Sequence, residues 1–173
     1  MADFESSQLS LSIGLRDDAT FANFLSADNV HAIAALQAQI RGCGENFQYL
    51  YGGEDSGKSH LLQAVCHLSD ELGLRSVYLP LEELALLSPD LLDGLEELDL
   101  VCIDDLHLVA GRKKWETALF HFFNRMRDAG RYLVISADAA PGQLGVKLPD
   151  LASRLAWGVT LSLQNLTDEQ KND

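Results

Sequence analysis

Short apolar runs alternate with longer stretches of helical spacing along most of the chain. The apolar runs predict buried strands at 47–51, 76–79, 100–103, 132–135 and 159–163. Apolar residues three and four positions apart predict helices at 28–40, 58–72, 113–129 and 149–155, and acidic helical stretches between 81 and 98. Because alternating strands and helices need crossover connections, the pattern predicts an α/β fold with a mostly parallel five-stranded sheet flanked by helices.

The chain is strongly acidic, with 13 Lys and Arg residues against 26 Asp and Glu residues and a formal net charge of −13. Affinity for duplex DNA rests largely on cationic side chains, so the charge predicts no strong direct DNA binding, although it also has a simple reading as solubility. The three cysteines form no CxxC pair, which argues against a zinc site. No apolar stretch is long enough to span a membrane, and the sequence predicts a cytoplasmic protein without membrane contact.

A phosphate-binding loop is predicted between the first strand and the helix after it. The motif G-x-x-x-x-G-K-[ST] is matched by Gly52, Gly53, Glu54, Asp55, Ser56, Gly57, Lys58 and Ser59. Its glycines let backbone amides point at phosphate oxygens, and the helix that follows adds the positive end of its dipole. Lys58 is expected to reach the β- and γ-phosphates and the Ser59 hydroxyl to bind magnesium. The cofactors predicted are therefore ADP or ATP with Mg²⁺.

Two carboxylates end the third strand, at Asp104 and Asp105. In a protein with a phosphate loop, Asp104 is expected to hold magnesium, directly or through water. Asp105 is then placed to orient or deprotonate the attacking water. The alternative is that both acids are simply solvated at the strand end. The phosphate loop upstream makes this alternative weaker for Asp104 than for Asp105.

Three more polar residues are candidates for catalysis. Ser136 and Asp138 follow the fourth strand, where a side chain could reach the γ-phosphate or the attacking water, or could simply occupy a turn. Arg154 lies in the short helix before the last strand, and an arginine offered by one subunit to another subunit's phosphates stabilises transition-state charge. The alternative for Arg154 is an ion pair with Asp150, one helical turn earlier.

These motifs resemble the AAA+ relatives of the bacterial replication initiator DnaA, and within that family the regulatory inactivators of DnaA. The resemblance runs from about residue 8 to residue 170 and is most specific at LPDLASRL, residues 148–155, with Trp157-Gly158. It implies a P-loop NTPase of the AAA+ class with sheet order 5-1-4-3-2, which places Ser136 beside the phosphate loop. It also implies that Phe24, Asn29 and His60 belong to the nucleotide site, although His60 has a packing or surface role as its alternative.

Partners are also implied by the resemblance. A short motif that docks on the DNA polymerase sliding clamp is matched by Gln8, Leu9, Ser10, Leu11 and Ile13, with Ser12 where the family has proline. Arg154 would be the arginine finger offered to ATP held by DnaA. The function expected is a regulator of replication initiation that promotes hydrolysis of that ATP. An autonomous AAA+ ATPase of the helicase-loader or chaperone type is the alternative, and a homodimer is left open.

The expected organisation is a flexible N-terminal arm, residues 1–16, followed by a nucleotide-binding core, residues 17–173. Members of the family continue after the position of Leu163 into a helical lid domain with a further arginine that senses nucleotide. This sequence ends at Asp173, so the expectation is a core without the lid.

Overall fold

A computed structural model of the protein describes residues 15–24, 29–53 and 56–164. The strands are β1 Phe47–Tyr51, β2 Ser76–Pro80, β3 Leu100–Asp104, β4 Tyr132–Ala137 and β5 Val159–Ser162. The α-helices are α1 Val30–Ile40, α2 Lys58–Glu71, α3 Leu81–Leu84, α4 Lys113–Ala129 and α5 Pro149–Leu155. Short 3-10 turns occupy Pro89–Leu92, Leu95–Glu97, Leu106–Leu108 and Pro141–Gln143.

The five strands form one parallel sheet in the order β2-β3-β4-β1-β5. This is the predicted order 5-1-4-3-2 read from the other edge, and the prediction is confirmed. In a parallel sheet all carboxyl ends meet at one edge, so the loop after β1 lies between the ends of β4 and β5. Register places Leu50 of β1 opposite Ser136 of β4, one strand away from Asp104.

Helices cover both faces of the sheet because its strands are apolar on both sides. On one face, Phe47 and Tyr49 of β1 pack with Trp115, Phe122 and Phe123 of α4 in a cluster that also contains residues of α5. On the other face, a second cluster draws on α1, α2 and the opposite side of the strands. Successive residues of a strand belong to the two clusters alternately. This alternation fixes which side chains face α2 and its phosphate loop.

The acidic segment between β2 and β3 is less helical than predicted. Only the single turn α3 is α-helical there, and two 3-10 turns follow it. Pro89 starts the first of these turns, and Gly94 adopts a left-handed φ of 85° before the second. Because proline lacks an amide proton and a left-handed residue reverses the chain, a continuous helix cannot pass these positions.

The start of β5 lies very close to the start of β1. A Cβ atom at Gly158 would lie 2.0 Å from the carbonyl oxygen of Phe47, so only glycine fits there. This contact fixes Trp157 and the end of α5 at the amino end of the sheet, opposite the phosphate loop. Within the ranges given above, no helix is long and apolar enough to cross a membrane.

Candidate nucleotide site

The phosphate loop joins the end of β1 to α2, as predicted. A Cβ atom at Gly52 would lie 2.7 Å from Ser56 Oγ, and Gly57 adopts a φ of 85° just before the helix begins. Both positions therefore require glycine, one for space and one for backbone conformation. Ser56 is buried, and its hydroxyl donates to the carbonyl oxygen of Gly53 at 2.8 Å. Glu54 and Asp55 lie outside the described residues.

Lys58 begins α2 and turns back over the loop. Its Nζ donates to the carbonyl oxygens of Gly52 at 2.8 Å and Gly53 at 2.9 Å, and the residue is almost completely buried. The side chain is thus held against the loop that it is predicted to serve. An ammonium group and the amino end of α2 converge on this loop, which is the arrangement that favours phosphate oxygens.

Asp104 ends β3 as a buried carboxylate with two hydroxyl donors. The Tyr78 hydroxyl donates to its Oδ2 at 2.5 Å, and the Ser136 hydroxyl donates to its Oδ1. Only 1% of Asp104 is exposed. Burial, with Asp104 as the next largest cause, raises the pKa of Tyr78, so this hydroxyl stays protonated and remains a donor. Sequence reasoning found Asp104 and Ser136 but missed Tyr78.

Magnesium is the ion that the predicted site implies, and the donors present suit it. The Tyr78 hydroxyl donates to Asp104, and the Ser59 side chain is among the smaller influences that lower the pKa of Tyr78, so Ser59 and Asp104 both lie near this hydroxyl. Hydroxyl and carboxylate oxygens are the hard ligands that Mg²⁺ prefers, with phosphates and water completing its octahedral shell. Among the described residues no cluster of three or more His, Cys, Asp or Glu side chains could hold a metal by itself. The donor set therefore fits magnesium held together with a nucleotide, through Ser59 and Asp104.

Asp105 has an unusual backbone. Its φ of 63° is left-handed, and it is the one non-glycine residue with positive φ in the described part of the chain. Its amide donates to Ser136 Oγ at 2.9 Å, so Ser136 connects the Asp104 carboxylate to the backbone of Asp105. Such conformations cost energy and are concentrated at functional sites. Burial, and then the charge of Asp104, raise the pKa of Asp105, while His107 and Lys58 lower it by smaller amounts.

We expect Asp105→Asn to stabilise the fold near neutral pH and to lose this effect in acid. A raised pKa means that folding disfavours the ionised carboxylate, a penalty that is absent below about pH 4 and complete once pH exceeds the folded-state pKa. Asparagine removes the ionisation and tolerates the left-handed backbone. Urea unfolding of both proteins between about pH 3.5 and about pH 7.5 measures the difference in free energy of unfolding. Asp17→Asn, at an exposed carboxylate, is the control; a gain that does not change with pH would contradict the expectation.

Three residues predicted to surround the nucleotide lie beside α2 or the end of β5. The Phe24 ring packs on His60 with centroids 5.2 Å apart, and a ring nitrogen of His60 bonds the carbonyl oxygen of Thr20 at 2.7 Å. The Asn29 side chain pairs with the backbone of Gln164, accepting at 2.9 Å and donating at 3.2 Å. These contacts place Phe24 and His60 at the amino end of α2. They place Asn29 beside the residues that follow β5, where the carbonyl oxygen of Leu163 would lie 3.1 Å from a Cβ atom at Gly52.

Asp138 lies further from the two carboxylates than Ser136 does. It follows β4, is more than half exposed, and its Oδ1 is 3.7 Å from Nδ1 of His107. Its charge also contributes, after burial, to the raised pKa of Tyr49. Of the two candidates after the fourth strand, Ser136 is thus the one that contacts Asp104 and Asp105.

Arg154 lies on the side of the protein away from its own phosphate loop. Its Nε donates to Asn124 Oδ1 at 3.0 Å, and its Cζ is 4.2 Å from the ring centroid of Trp157. No ion pair with Asp150 is present among the described residues, so the alternative considered for Arg154 is not what the structure contains. Trp157 precedes Gly158, and Gly158 contacts the start of β1. The phosphate loop begins after the end of β1. The length of β1, at about 3.3 Å per residue, separates these two points by roughly 13 Å.

The clamp-binding residues predicted at Gln8, Leu9, Ser10, Leu11 and Ile13 lie outside the described residues. The segment that follows them is held on α2. The amide of Arg16 donates to Gln63 Oε1 at 2.6 Å, and its carbonyl oxygen bonds a ring nitrogen of His67 at 2.6 Å. Arg16 was predicted to belong to the flexible arm, and these two bonds place it on the core.

The parallel sheet, the phosphate loop after β1 and the acid at the end of β3 define a P-loop protein with an AAA+ fold. Residues 15–162 match the family model described as the bacterial DnaA ATPase domain. The chain therefore belongs to the bacterial DnaA ATPase domain family.

Solved structures agree with this family. Domain III of the Thermotoga maritima replication initiation protein DnaA has a TM-score of 0.76 and 30% identity, over 91% of this chain and 71% of that one. A replication initiator DnaA bound to AMPPCP and single-stranded DNA has a TM-score of 0.80 and 23% identity, over 90% of this chain and 52% of that one. DnaI has a TM-score of 0.70 and 15% identity, over 88% of this chain and 90% of that one. The chain thus spans about half the length of the nucleotide-bound initiator.

Proposed function

We propose that the chain is a regulator of replication initiation of the Hda type, which promotes hydrolysis of ATP held by DnaA. The observation that carries this proposal is the position of Arg154 next to Trp157 near the amino end of the sheet, whereas the chain's own loop lies at the carboxyl end. An arginine there cannot serve the nucleotide of its own chain. It can serve the nucleotide of a second protein that docks on this face, where a guanidinium stabilises the charge that develops on the transferred phosphoryl group.

Arg154 is held ready for such a role by its neighbours. The Asn124 side chain accepts from Nε, while the rings of Trp157 and Phe120 lie 4.2 Å and 5.4 Å from Cζ. These contacts orient the guanidinium before a partner arrives, which reduces the entropy lost on docking. No acidic side chain neutralises Arg154 among the described residues, so its charge remains available to phosphate oxygens.

The chain's own loop would then hold ADP or ATP mainly as a fixed ligand. Lys58 and the loop amides would bind the phosphates, and Ser59 and Asp104 would hold Mg²⁺. Support comes from the glycine requirements at 52 and 57, and from a relative that was solved with AMPPCP bound. The acidic charge argues that DNA is not a strong direct ligand of this chain.

Docking on the sliding clamp is the second half of the proposal. It rests on the motif from Gln8 to Leu11, with Ile13 as a further apolar anchor. Because Arg16 is hydrogen-bonded to α2, only a few residues of sequence separate the motif from the core. A pull-down with the clamp tests this half. Unchanged binding after Gln8→Ala combined with Leu9→Ala would rule it out.

We expect Arg154→Ala to abolish most stimulation of ATP hydrolysis by DnaA, by about 1000-fold if the finger is complete. The measurement is the DnaA hydrolysis rate at saturating concentration of this chain. Arg41→Ala, at an exposed residue after α1, is the matched control and should stimulate like the wild type. Equal stimulation by Arg154→Ala and the wild type would remove the finger assignment.

An autonomous ATPase of the helicase-loader or chaperone type is the second candidate. It is favoured by Asp105, which is held in a left-handed backbone beside Asp104 and lies within electrostatic reach of Lys58. A carboxylate in that position could orient an attacking water in the same chain. Steady ATP turnover by the isolated protein, lost in Asp105→Asn, would favour this candidate over the first.

A further inference from the structure

An open cavity of about 250 Å³ lies at the amino end of the sheet, next to the start of β1. It is lined by apolar residues, among them Phe47, Phe123 and Trp157, and also by Arg127 and Arg131. The cavity is large enough for one or two apolar side chains. It lies on the same side of the protein as Arg154 and away from the phosphate loop.

Trp157 joins this cavity to Arg154. Although 49% of the residue is exposed, its ring is fixed by three neighbours. It meets the Phe123 ring edge-on at 5.8 Å, and the Cζ atoms of Arg127 and Arg154 lie 5.4 Å and 4.2 Å from its centroid. A half-exposed tryptophan flanked by two guanidinium groups has the composition of an interface hot spot.

Arginines and acidic residues both lie on this face. The protein has a net charge of −13, yet Arg127, Arg131 and Arg154 lie together here. Arg131 donates from Nε to the carbonyl oxygen of Glu96 at 2.8 Å, and its Nη1 pairs with Asp99 at 3.6 Å. Arg127 pairs with the exposed Asp128 at 3.0 Å, and Glu45 also lines the cavity. Exposed ion pairs are weak, so a partner's carboxylate can replace Asp128 at Arg127, and the apolar residues beside Arg127 fit an apolar side chain next to that carboxylate.

We propose that this cavity is the docking pocket for the nucleotide-holding partner of Arg154. The occupant is an apolar side chain flanked by a carboxylate on the surface of that partner. The apolar side chain enters the cavity beside Trp157 and Phe123, and the carboxylate pairs with Arg127. The inference rests on the proposed function, since it assumes that Arg154 acts on a second protein. It also assigns separate roles to the two features. The pocket determines the affinity of the complex, and Arg154 determines the rate of ATP hydrolysis within it.

The test separates affinity from rate. DnaA hydrolysis is measured against increasing concentrations of this chain, and binding to immobilised ATP-loaded DnaA is measured in parallel. Arg127→Glu should raise the half-saturating concentration by about tenfold or more, with maximal stimulation unchanged, because the reversed charge repels the partner's carboxylate. Arg127→Lys keeps the charge and should stay within about threefold of the wild type. Arg112→Glu makes the same charge change at the other edge of the sheet and should have no effect.

Each outcome has a distinct meaning. If Arg127→Glu behaves like the wild type while Arg154→Ala is inactive, the pocket proposal is wrong and the proposed function stands. If Arg127→Glu loses binding while Arg154→Ala stimulates fully, the pocket holds and the finger assignment fails. A wild type that does not bind DnaA at all overturns both. Sedimentation gives one more outcome: a dimer that Arg127→Glu converts to monomer, with DnaA binding intact, would assign the pocket to a second copy and overturn the proposal.

Discussion

Replacing Lys58 with alanine is expected to lower the affinity for ADP and ATP by about 100-fold. Lys58 lies at the junction of the loop and α2, with Nζ held by the carbonyl oxygens of Gly52 and Gly53. Two charge-assisted hydrogen bonds to phosphate oxygens are worth about 1.5 kcal/mol each, or about 3 kcal/mol together. At about 1.4 kcal/mol per tenfold change, this gives the expected loss. Isothermal titration with ADP and ATP, with and without Mg²⁺, measures it.

The matched control for this experiment is Lys113→Ala. Lys113 is exposed at the start of α4, so it tests whether loss of any lysine lowers affinity. A thermal unfolding curve for Lys58→Ala without nucleotide is also needed, because the variant loses two hydrogen bonds to the loop. Nucleotide affinity within about threefold of the wild type would show that the loop of this chain does not bind phosphate through Lys58.

The fold was predictable because β1 to β4 are largely apolar on both faces and bounded by clear stop signals. The run from Phe47 to Tyr51 and the helix from Lys113 to Ala129 have the bounds that spacing indicated. The segment between β2 and β3 was not predictable in the same way. Its leucines have helical spacing, but Pro89 and the left-handed Gly94 break it into short turns. Periodicity reports which positions are apolar, whereas these two residues determine whether the backbone can continue.

The nucleotide site was predictable only where the residues are close in sequence or share the sheet edge. The loop and Asp104 follow from their motifs, and Ser136 follows once the sheet order is assumed. Tyr78 could have been found by the same assumption. It pairs in register with Cys102, two residues before Asp104, so the two side chains share a face and a tyrosine reaches the diagonal neighbour. The cavity beside Trp157 had no such signal, because it is built from residues of β1, α4 and the start of β5.

The two ends of the sheet carry different chemistry. The carboxyl end gathers Lys58, Asp104 and Asp105 around the phosphate loop, and the amino end gathers Arg154 and Trp157. A single chain cannot bring these two groups of residues together, since the sheet separates them. The role proposed for Arg154 therefore requires a second protein that holds the nucleotide.

Replacing Glu116 with alanine is expected to be the most destabilising of these changes, at about 3 to 5 kcal/mol. Glu116 lies in the first turn of α4, and only 2% of it is exposed. Its carboxylate accepts from the amides of Gly111 at 2.5 Å, Lys147 at 3.0 Å and Leu148 at 2.8 Å. Alanine would leave these amides without their acceptor, at about 1 to 3 kcal/mol each, and would release the turn that leads into α5 and Arg154.

Urea unfolding of Glu116→Ala and the wild type measures this loss, with the slope checked for two-state behaviour. Glu83→Ala removes an exposed carboxylate and should change the free energy of unfolding by less than about 0.5 kcal/mol. Glu116→Gln separates charge from shape. It keeps one acceptor oxygen but turns an NH₂ group toward the amide donors. Its loss in free energy of unfolding should therefore lie between those of Glu83→Ala and Glu116→Ala. A loss below about 1 kcal/mol for Glu116→Ala would mean that water satisfies these amides and that the carboxylate does not hold α4 to the turn before α5.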